Sequence, residues 1–431
     1  MLKRKIMDQL VEWKKEKNKN VLLVTGARQV GKTFIIKEFA NQYYDNYIYI
    51  NFIEKPEYIT IFEGNLDATT IQKQISLRIK NAEFIEGKTL IIFDEIQACQ
   101  NAITALKFLN EDKRFDYIAS GSLLGIAYKR VSSFPVGSIK RIELKSLDFE
   151  EYLWAIGINE DTILYLKEFF DNKKTIPDGM HKQMMSYFKE YIVVGGMPAV
   201  VQDFVNNHNF QRVLEIQRNI IEDYKDDIVK YANAKEKSKI RACFESIPKH
   251  LAKDYKKFRY SLVEKGATAE KYAGSLEWLY DAGIINFCYN LSHPELPFAG
   301  NAKENVFKVY MRDTGLLIAM LEDGSQLEII DGNLGIYKGA IYENIIADIF
   351  TKLNKKLYYF EYNSTLEIDF FIRYNNLATA VEVKSADNTK SKSLQSVINN
   401  YDVKNAIRLS SKNLGSSNNI ISLPLYMSIF L

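Results

Sequence analysis

Cysteine is scarce in this chain of 431 residues, and the three present, Cys99, Cys243 and Cys288, lie far apart without the spacing of a metal site. They read as reduced residues of a cytoplasmic protein rather than as a disulfide framework or a zinc centre. Long apolar runs are missing as well. No stretch approaches the ~20 residues that span a bilayer, so no membrane partner is expected. Met1-Leu2-Lys3-Arg4-Lys5 is basic, but no apolar core follows it, which argues against a signal peptide. The apolar end Ile420 to Leu431 is short and holds Pro424, and reads as a strand or docked tail. An excess of either charge is also lacking: 57 basic and 54 acidic residues leave +3, so any electrostatic partner must be recognised locally. What is present is a globular composition, 47% apolar and 26% charged, on a chain long enough for more than one core.

Gly26-Ala27-Arg28-Gln29-Val30-Gly31-Lys32-Thr33 fits the phosphate-binding pattern G-x-x-x-x-G-K-[ST] at every fixed position. Val21 to Val24 before it reads as a buried strand, and Phe34 to Phe39 after it has helical periodicity. A strand, a glycine loop and a helix N-terminus make a cradle of backbone N–H groups for phosphate, so ATP is the expected cofactor.

The run Thr89-Leu90-Ile91-Ile92-Phe93 ends in Asp94-Glu95. Carboxylates at the C-terminal edge of a buried strand stand where an open α/β sheet binds ligand. Lys32 is expected to neutralise the β- and γ-phosphates. Thr33 and Asp94 are expected to hold Mg²⁺, and Glu95 to activate the attacking water. Tyr117-Ile118-Ala119 runs into Ser120-Gly121-Ser122, where Ser120 is favoured over Ser122 as a sensor of the γ-phosphate. The plainer alternative is that Asp94 and Glu95 only cap the next helix.

Residues 1–20 read as a basic amphipathic helix packing Leu2, Ile6, Leu10 and Trp13. Strands at Val21–Val24, Tyr47–Phe52, Thr89–Phe93, Tyr117–Ala119 and Ile139–Leu144 alternate with helical stretches, which predicts a parallel sheet over 1–145. Residues 146–235 are mostly helical, broken by Gly195-Gly196-Met197-Pro198. Over 236–330, helices are followed by Ile284–Tyr289, a Pro/Gly-rich turn and Val306–Tyr310, the outline of a winged helix-turn-helix. Residues 331–431 read helix, three strands, helix, strand, with Ser410 to Asn419 as a surface loop.

That last segment carries a second constellation. Asp369 lies in a strand, and Glu382-Val383-Lys384 follows thirteen positions on, with Glu382 and Lys384 on one face of theirs. Two carboxylates beside a lysine are able to bind Mg²⁺ and position water against a phosphodiester, with Asp369 and Glu382 as metal ligands and Glu343 as a third acid. The order of acid-bearing helix, Asp strand and E-x-K strand resembles the restriction-endonuclease-like superfamily and archaeal Holliday-junction resolvases. An ordinary solvated Glu/Lys pair is the plainer alternative.

Between Lys235 and Lys265 ten Lys and Arg residues meet four acids, with Phe244, Tyr255, Phe258 and Tyr260 interleaved. Beside a winged-helix pattern this segment is a candidate DNA-contacting surface, although charge runs are usually solvated helix faces and winged helices also dock proteins.

Six motifs in order are shared with one family: 26–33, Phe93-Asp94-Glu95-Ile96-Gln97, Ser120-Gly121-Ser122, Leu147-Asp148-Phe149-Glu150-Glu151-Tyr152-Leu153, Gly195-Gly196-Met197-Pro198-Ala199-Val200 and Tyr310-Met311-Arg312-Asp313-Thr314-Gly315-Leu316-Leu317. Over almost its whole length the chain resembles prokaryotic AAA-superfamily ATPases that carry a C-terminal domain of unknown function. The resemblance implies an α/β ATPase core (1–145), a helical lid (146–235), a winged helix (236–330) and an endonuclease-like terminal domain (331–431). Lys32 and Thr33 are then the nucleotide ligands and Asp94 and Glu95 the hydrolytic pair. Relatives often place arginine after Pro-Val-Gly, whereas Pro135-Val136-Gly137 is followed here by Ser138, so the finger stays open between Arg130 and Arg141. The expectation is an ATP-hydrolysing protein whose nucleotide state controls a DNA-associated module. The alternative is a regulatory or protein-remodelling ATPase with a non-catalytic terminal module and protein partners. Homo-oligomers are compatible with either.

Overall fold

The computed structural model describes residues 2–123, 137–253, 256–332, 337–363, 365–385 and 391–431. Arg130, Pro135, Val136 and Tyr255, all cited above, lie outside them. The chain divides into two compact units: Arg4–Lys145 with Asp281–Gly283, and Met1–Lys3 with Ser146–Tyr280 and Ile284–Leu431.

In the first unit, strands β1 (Val21–Gly26), β2 (Asn46–Asn51), β3 (Thr89–Asp94), β4 (Asp116–Ser122) and β5 (Ile139–Glu143) form one sheet in the order β2-β3-β4-β1-β5. Every pair is parallel. β1 and β3 are buried along their whole length, as near-continuous apolar strands covered on both faces must be. The order puts β1 and β3 on either side of β4, so the glycine loop after β1 and the acids after β3 share one edge. The N-terminal helix spans Ile6–Lys15 and buries Ile6, Leu10 and Trp13. It is shorter than the 1–20 stretch expected, because Glu16 turns extended and Asn18 enters the left-handed region at φ 54°.

The second unit begins with helices. Asp148 caps the helix Phe149–Ala155 in a full capping box with Glu151, which accounts for the Leu-Asp-Phe-Glu-Glu run in local terms. The helices Asp178–Val194 and Pro198–Asn207 meet at Gly195-Gly196, and Pro198 takes the first helical position. Gly196 admits no side chain, since a Cβ there would sit 2.1 Å from the Leu147 carbonyl oxygen.

Among the described residues its sheet has eight strands: β6 (Ile285–Leu291), β7 (Ala302–Met311), β8 (Leu357–Tyr362), β9 (Leu366–Tyr374), β10 (Leu377–Val383), β11 (Asn405–Ser410), β12 (Gly415–Ser417) and β13 (Ile420–Pro424). Their order is β12-β13-β11-β10-β9-β8-β6-β7. The hairpin read from sequence as a wing therefore pairs along β8, Cys288 opposite Leu357, and continues the C-terminal sheet. The stretch Ser410 to Asn419, expected as a loop, contains the short edge strand β12, which turns back antiparallel onto β13 through Asn418 and Asn419 in the left-handed region. The chain end after β13 is a buried 3₁₀ turn, Leu425–Phe430.

Candidate nucleotide site and C-terminal acidic cluster

The loop from β1 into the helix Lys32–Tyr43 needs backbone freedom at two points. Gln29 and Gly31 adopt φ 63° and φ 91°, and a Cβ on Gly26 would lie 2.3 Å from the Leu144 carbonyl oxygen. The Lys32 side chain is buried, with Nζ donating to the carbonyls of Gly26 at 3.1 Å and Ala27 at 2.8 Å. Burial lowers its pKa to about 8, against the pull of the Glu95 and Asp94 carboxylates.

Asp94, at the end of β3, is 2% exposed and collects donors from two neighbouring strands, the loop helix and the backbone just after β3. Thr33 Oγ1 donates to its Oδ2 at 2.7 Å, and Tyr49 of β2 donates to the same oxygen at 2.7 Å. Ser120 of β4 and the Glu95 backbone N–H donate to Oδ1, the latter at 3.1 Å. A buried carboxylate persists only when satisfied in this way. Glu95 follows in the left-handed region at φ 54°, a strained position for a residue with a side chain, and Gln97 donates to its Oε2. The structure thus brings Lys32, Thr33, Asp94, Glu95 and Ser120 to one edge of one sheet. Neither acid caps a helix through its side chain: Glu95 precedes the turn Ile96–Ala98 without such a bond.

The chemistry this arrangement offers is that of a phosphate cradle with a hydroxyl and a carboxylate beside it. Thr33 and Asp94 are hard oxygen donors suited to Mg²⁺, and their shared hydrogen bond marks the position they would both address. Tyr49 and Gln97 were missed from sequence. The two-residue alternation Tyr49-Ile50-Asn51 was the available signal, since it puts Tyr49 and Asn51 on one face beside Asp94.

In the second unit the acid cluster is crowded with lysines. Glu343, on the helix Tyr337–Lys352, pairs through Oε1 with Lys256 and accepts the Tyr310 hydroxyl on Oε2 at 3.2 Å. Lys308 of β7 is 1% exposed, with Nζ 3.9 Å from Glu343 and 2.5 Å from Glu367. Asp369 Oδ2 accepts the Val383 N–H at 2.8 Å, which ties β9 to β10 beyond their last paired residues. Glu382 Oε1 pairs with Lys384 at 2.7 Å, while its buried Oε2 has no hydrogen-bond partner among the described residues. Burial would raise the Glu343 pKa, but Lys256 and Lys308 outweigh it and hold that carboxyl below its ordinary value. Burial and then the Glu343 charge push Asp369 upward. Among the described residues no group of three or more His, Cys, Asp or Glu side chains is arranged to hold an ion. Lys308 and Glu367 were missed. A lysine in the centre of Val306-Phe307-Lys308-Val309-Tyr310 was the signal, because a charge in an apolar strand needs a buried partner.

The basic segment separates into core and surface. Phe244 and Phe258 are buried, and Phe258 stacks on His250 at 4.1 Å. Lys235, Lys249, Lys253, Arg259 and Lys265 are exposed. Among the described residues no helix is long and apolar enough to cross a membrane.

Residues 18–153 match an AAA domain. Residues 185–327 and 338–426 match two domains of unknown function, DUF8612 and DUF4143. Residues 18–153 thus form an AAA-type, P-loop ATPase-like domain with domains of unknown function on its C-terminal side, and its parallel sheet carries the loop, Asp94 and Ser120. No curated protein matches the chain. Among solved structures, the Walker-type ATPase paby2304 of Pyrococcus abyssi is similar at 15% identity and a TM-score of 0.44, over 74% of this chain and 96% of that one. The Aeropyrum pernix ORC1 protein in complex with DNA is similar at 12% identity and a TM-score of 0.28, over 74% and 91%. PCH-2 of C. elegans is similar at 12% identity and a TM-score of 0.28, over 46% and 59%.

Proposed function

We propose that this chain is a Mg²⁺-dependent ATPase whose nucleotide state controls a DNA-associated C-terminal module with winged-helix and endonuclease-like parts. The observation that carries the ATPase reading is the convergence of Thr33 and Ser120 on the two oxygens of Asp94, beside a buried Lys32. In this reading Lys32 neutralises the β- and γ-phosphates, and Thr33 and Asp94 address Mg²⁺. Glu95 orients the water, and Ser120 reports the γ-phosphate to Asp94. The exposed lysines and arginines of 235–265 are the phosphate-contacting surface. Hydrolysis is measured with and without linear, branched and single-stranded DNA. Stimulation by DNA, with retention that weakens as salt rises, is expected; turnover indifferent to every DNA, with no retention at low salt, removes the DNA part of the proposal.

One observation favours a second reading, a regulatory ATPase whose endonuclease-like segment is a non-catalytic interaction module. Glu343, needed as a third carboxylate, is already held by Lys256 and Lys308. Mg²⁺-dependent cleavage by the wild type that disappears in Asp369→Asn would exclude it.

A further inference from the structure

We infer that the Lys308 ammonium stands where the cation of the C-terminal acidic cluster would be, making the cluster a lysine-neutralised clasp that takes no divalent metal. The inference rests on the second reading above.

The donor set decides it. A magnesium site of this kind needs carboxylate oxygens free to turn toward one point. Both oxygens of Glu343 are engaged, one by Lys256 and the other by Tyr310 with Lys308 nearby. One oxygen of Asp369 is spent on the Val383 N–H, and one of Glu382 on Lys384. What is left to a cation is Asp369 Oδ1 and the buried Glu382 Oε2, which has no hydrogen-bond partner among the described residues. Against it stands a lysine that is 1% exposed, placed between Glu343 at 3.9 Å and Glu367 at 2.5 Å. An ammonium is buried this deeply only when carboxylates surround it, and in so dry an interior it repels a second cation strongly.

The same charges do structural work. Lys256 belongs to the segment that runs beside β7, where the Phe258 N–H donates to the Phe307 carbonyl at 2.8 Å. Its bond to Glu343 fixes that segment to the helix Tyr337–Lys352, and Lys308 fixes β7 to β9 through Glu367. The cluster is a charged joint between elements far apart in sequence.

Mn²⁺ binding to the nucleotide-free full chain, followed by electron paramagnetic resonance, tests this. Wild type and Asp369→Asn are expected to bind the same number of Mn²⁺ ions, since any ion at Thr33 and Asp94 is common to both. An ion bound by wild type and lost in Asp369→Asn overturns the inference. Lys308→Met, which keeps the length of the side-chain stem, is expected to gain a Mn²⁺ that a further Asp369→Asn change removes. No gain in the folded variant overturns the assignment to Lys308. Should Lys308→Met fail to fold, the comparison of wild type with Asp369→Asn decides alone. The two failures are separable: Asp369-dependent Mn²⁺ binding without DNA cleavage sinks this inference only, whereas cleavage that needs no metal sinks the second reading only.

Discussion

Asp313 accepts the backbone N–H of Gly196 on Oδ2 at 2.8 Å, and with Oδ1 it caps the helix Thr314–Ala319 at the Leu316 N–H. One side chain thus joins two of the motifs by which this chain resembles its relatives, Gly195-Gly196 and Asp313-Thr314-Gly315. Leu147 joins the third, donating its N–H to the Gly196 carbonyl at 2.7 Å. These motifs are explained by packing rather than by chemistry. Asp313→Ala removes a cap, worth about 1 kcal/mol. It also strands a buried N–H, which costs about 1–3 kcal/mol more. A lower thermal midpoint is expected for the unit that holds Ser146–Tyr280 and Ile284–Leu431. Asp313→Asn, which keeps one acceptor, is expected to lose less. Equal midpoints for Asp313→Ala and wild type would refute this account.

The nucleotide site makes a graded prediction. Glu95→Gln is expected to bind ATP but to lose roughly 10²- to 10⁴-fold in turnover, the usual contribution of a positioned base. Tyr49→Phe and Ser120→Ala each remove one donor to a buried carboxylate, worth about 1.5–3 kcal/mol. They are expected to weaken Mg²⁺-dependent hydrolysis by roughly 10- to 100-fold. Steady-state ATPase rates at varied Mg²⁺ check all three. Full activity in Tyr49→Phe would show that its contact with Asp94 is incidental.

What sequence made legible follows a physical divide. The glycine loop, β3 and its acids were readable because each is a local pattern: a backbone that must bend, or an apolar strand that must end. Tyr49 was not, because its value comes from the parallel register that sets Asn51 opposite Asp94. Lys308 was not, because a charge in β7 has meaning only once a helix some 35 residues later brings Glu343 against it. The pairing of β6 with β8 was hidden for the same reason, as it joins Cys288 to Leu357 across a long intervening stretch.

His181 supplies a pH dependence. Its Nε2–H donates to the Ser411 carbonyl at 3.1 Å and its Nδ1 accepts from the Tyr426 hydroxyl at 3.0 Å, so the neutral ring satisfies both partners. Burial lowers its pKa, against the Ser411 carbonyl and the Asp178 charge. The unfolded chain then binds the proton more readily than the folded one. The stabilising contribution is full above the ordinary histidine range and is lost as pH falls through it. His181→Gln, able to make both bonds without titrating, is expected to flatten the fall in thermal midpoint between about pH 7 and pH 5. Parallel curves for variant and wild type would remove His181 as the cause.

Asp369 sets a condition on any test of cleavage. Its Oδ2 is the acceptor for the Val383 N–H where β9 and β10 stop pairing through the backbone. Asp369→Ala therefore leaves a buried donor unsatisfied and is expected to cost about 1–3 kcal/mol. Lost activity in that variant would report a loosened sheet as readily as a lost ligand. Asp369→Asn keeps the acceptor and removes only the charge, so its thermal midpoint is expected near that of wild type, with Asp369→Ala several degrees lower. A midpoint for Asp369→Ala equal to that of Asp369→Asn would show that the Val383 bond carries no stability. With the order as expected, the asparagine variant separates the chemistry of Asp369 from its place in the fold.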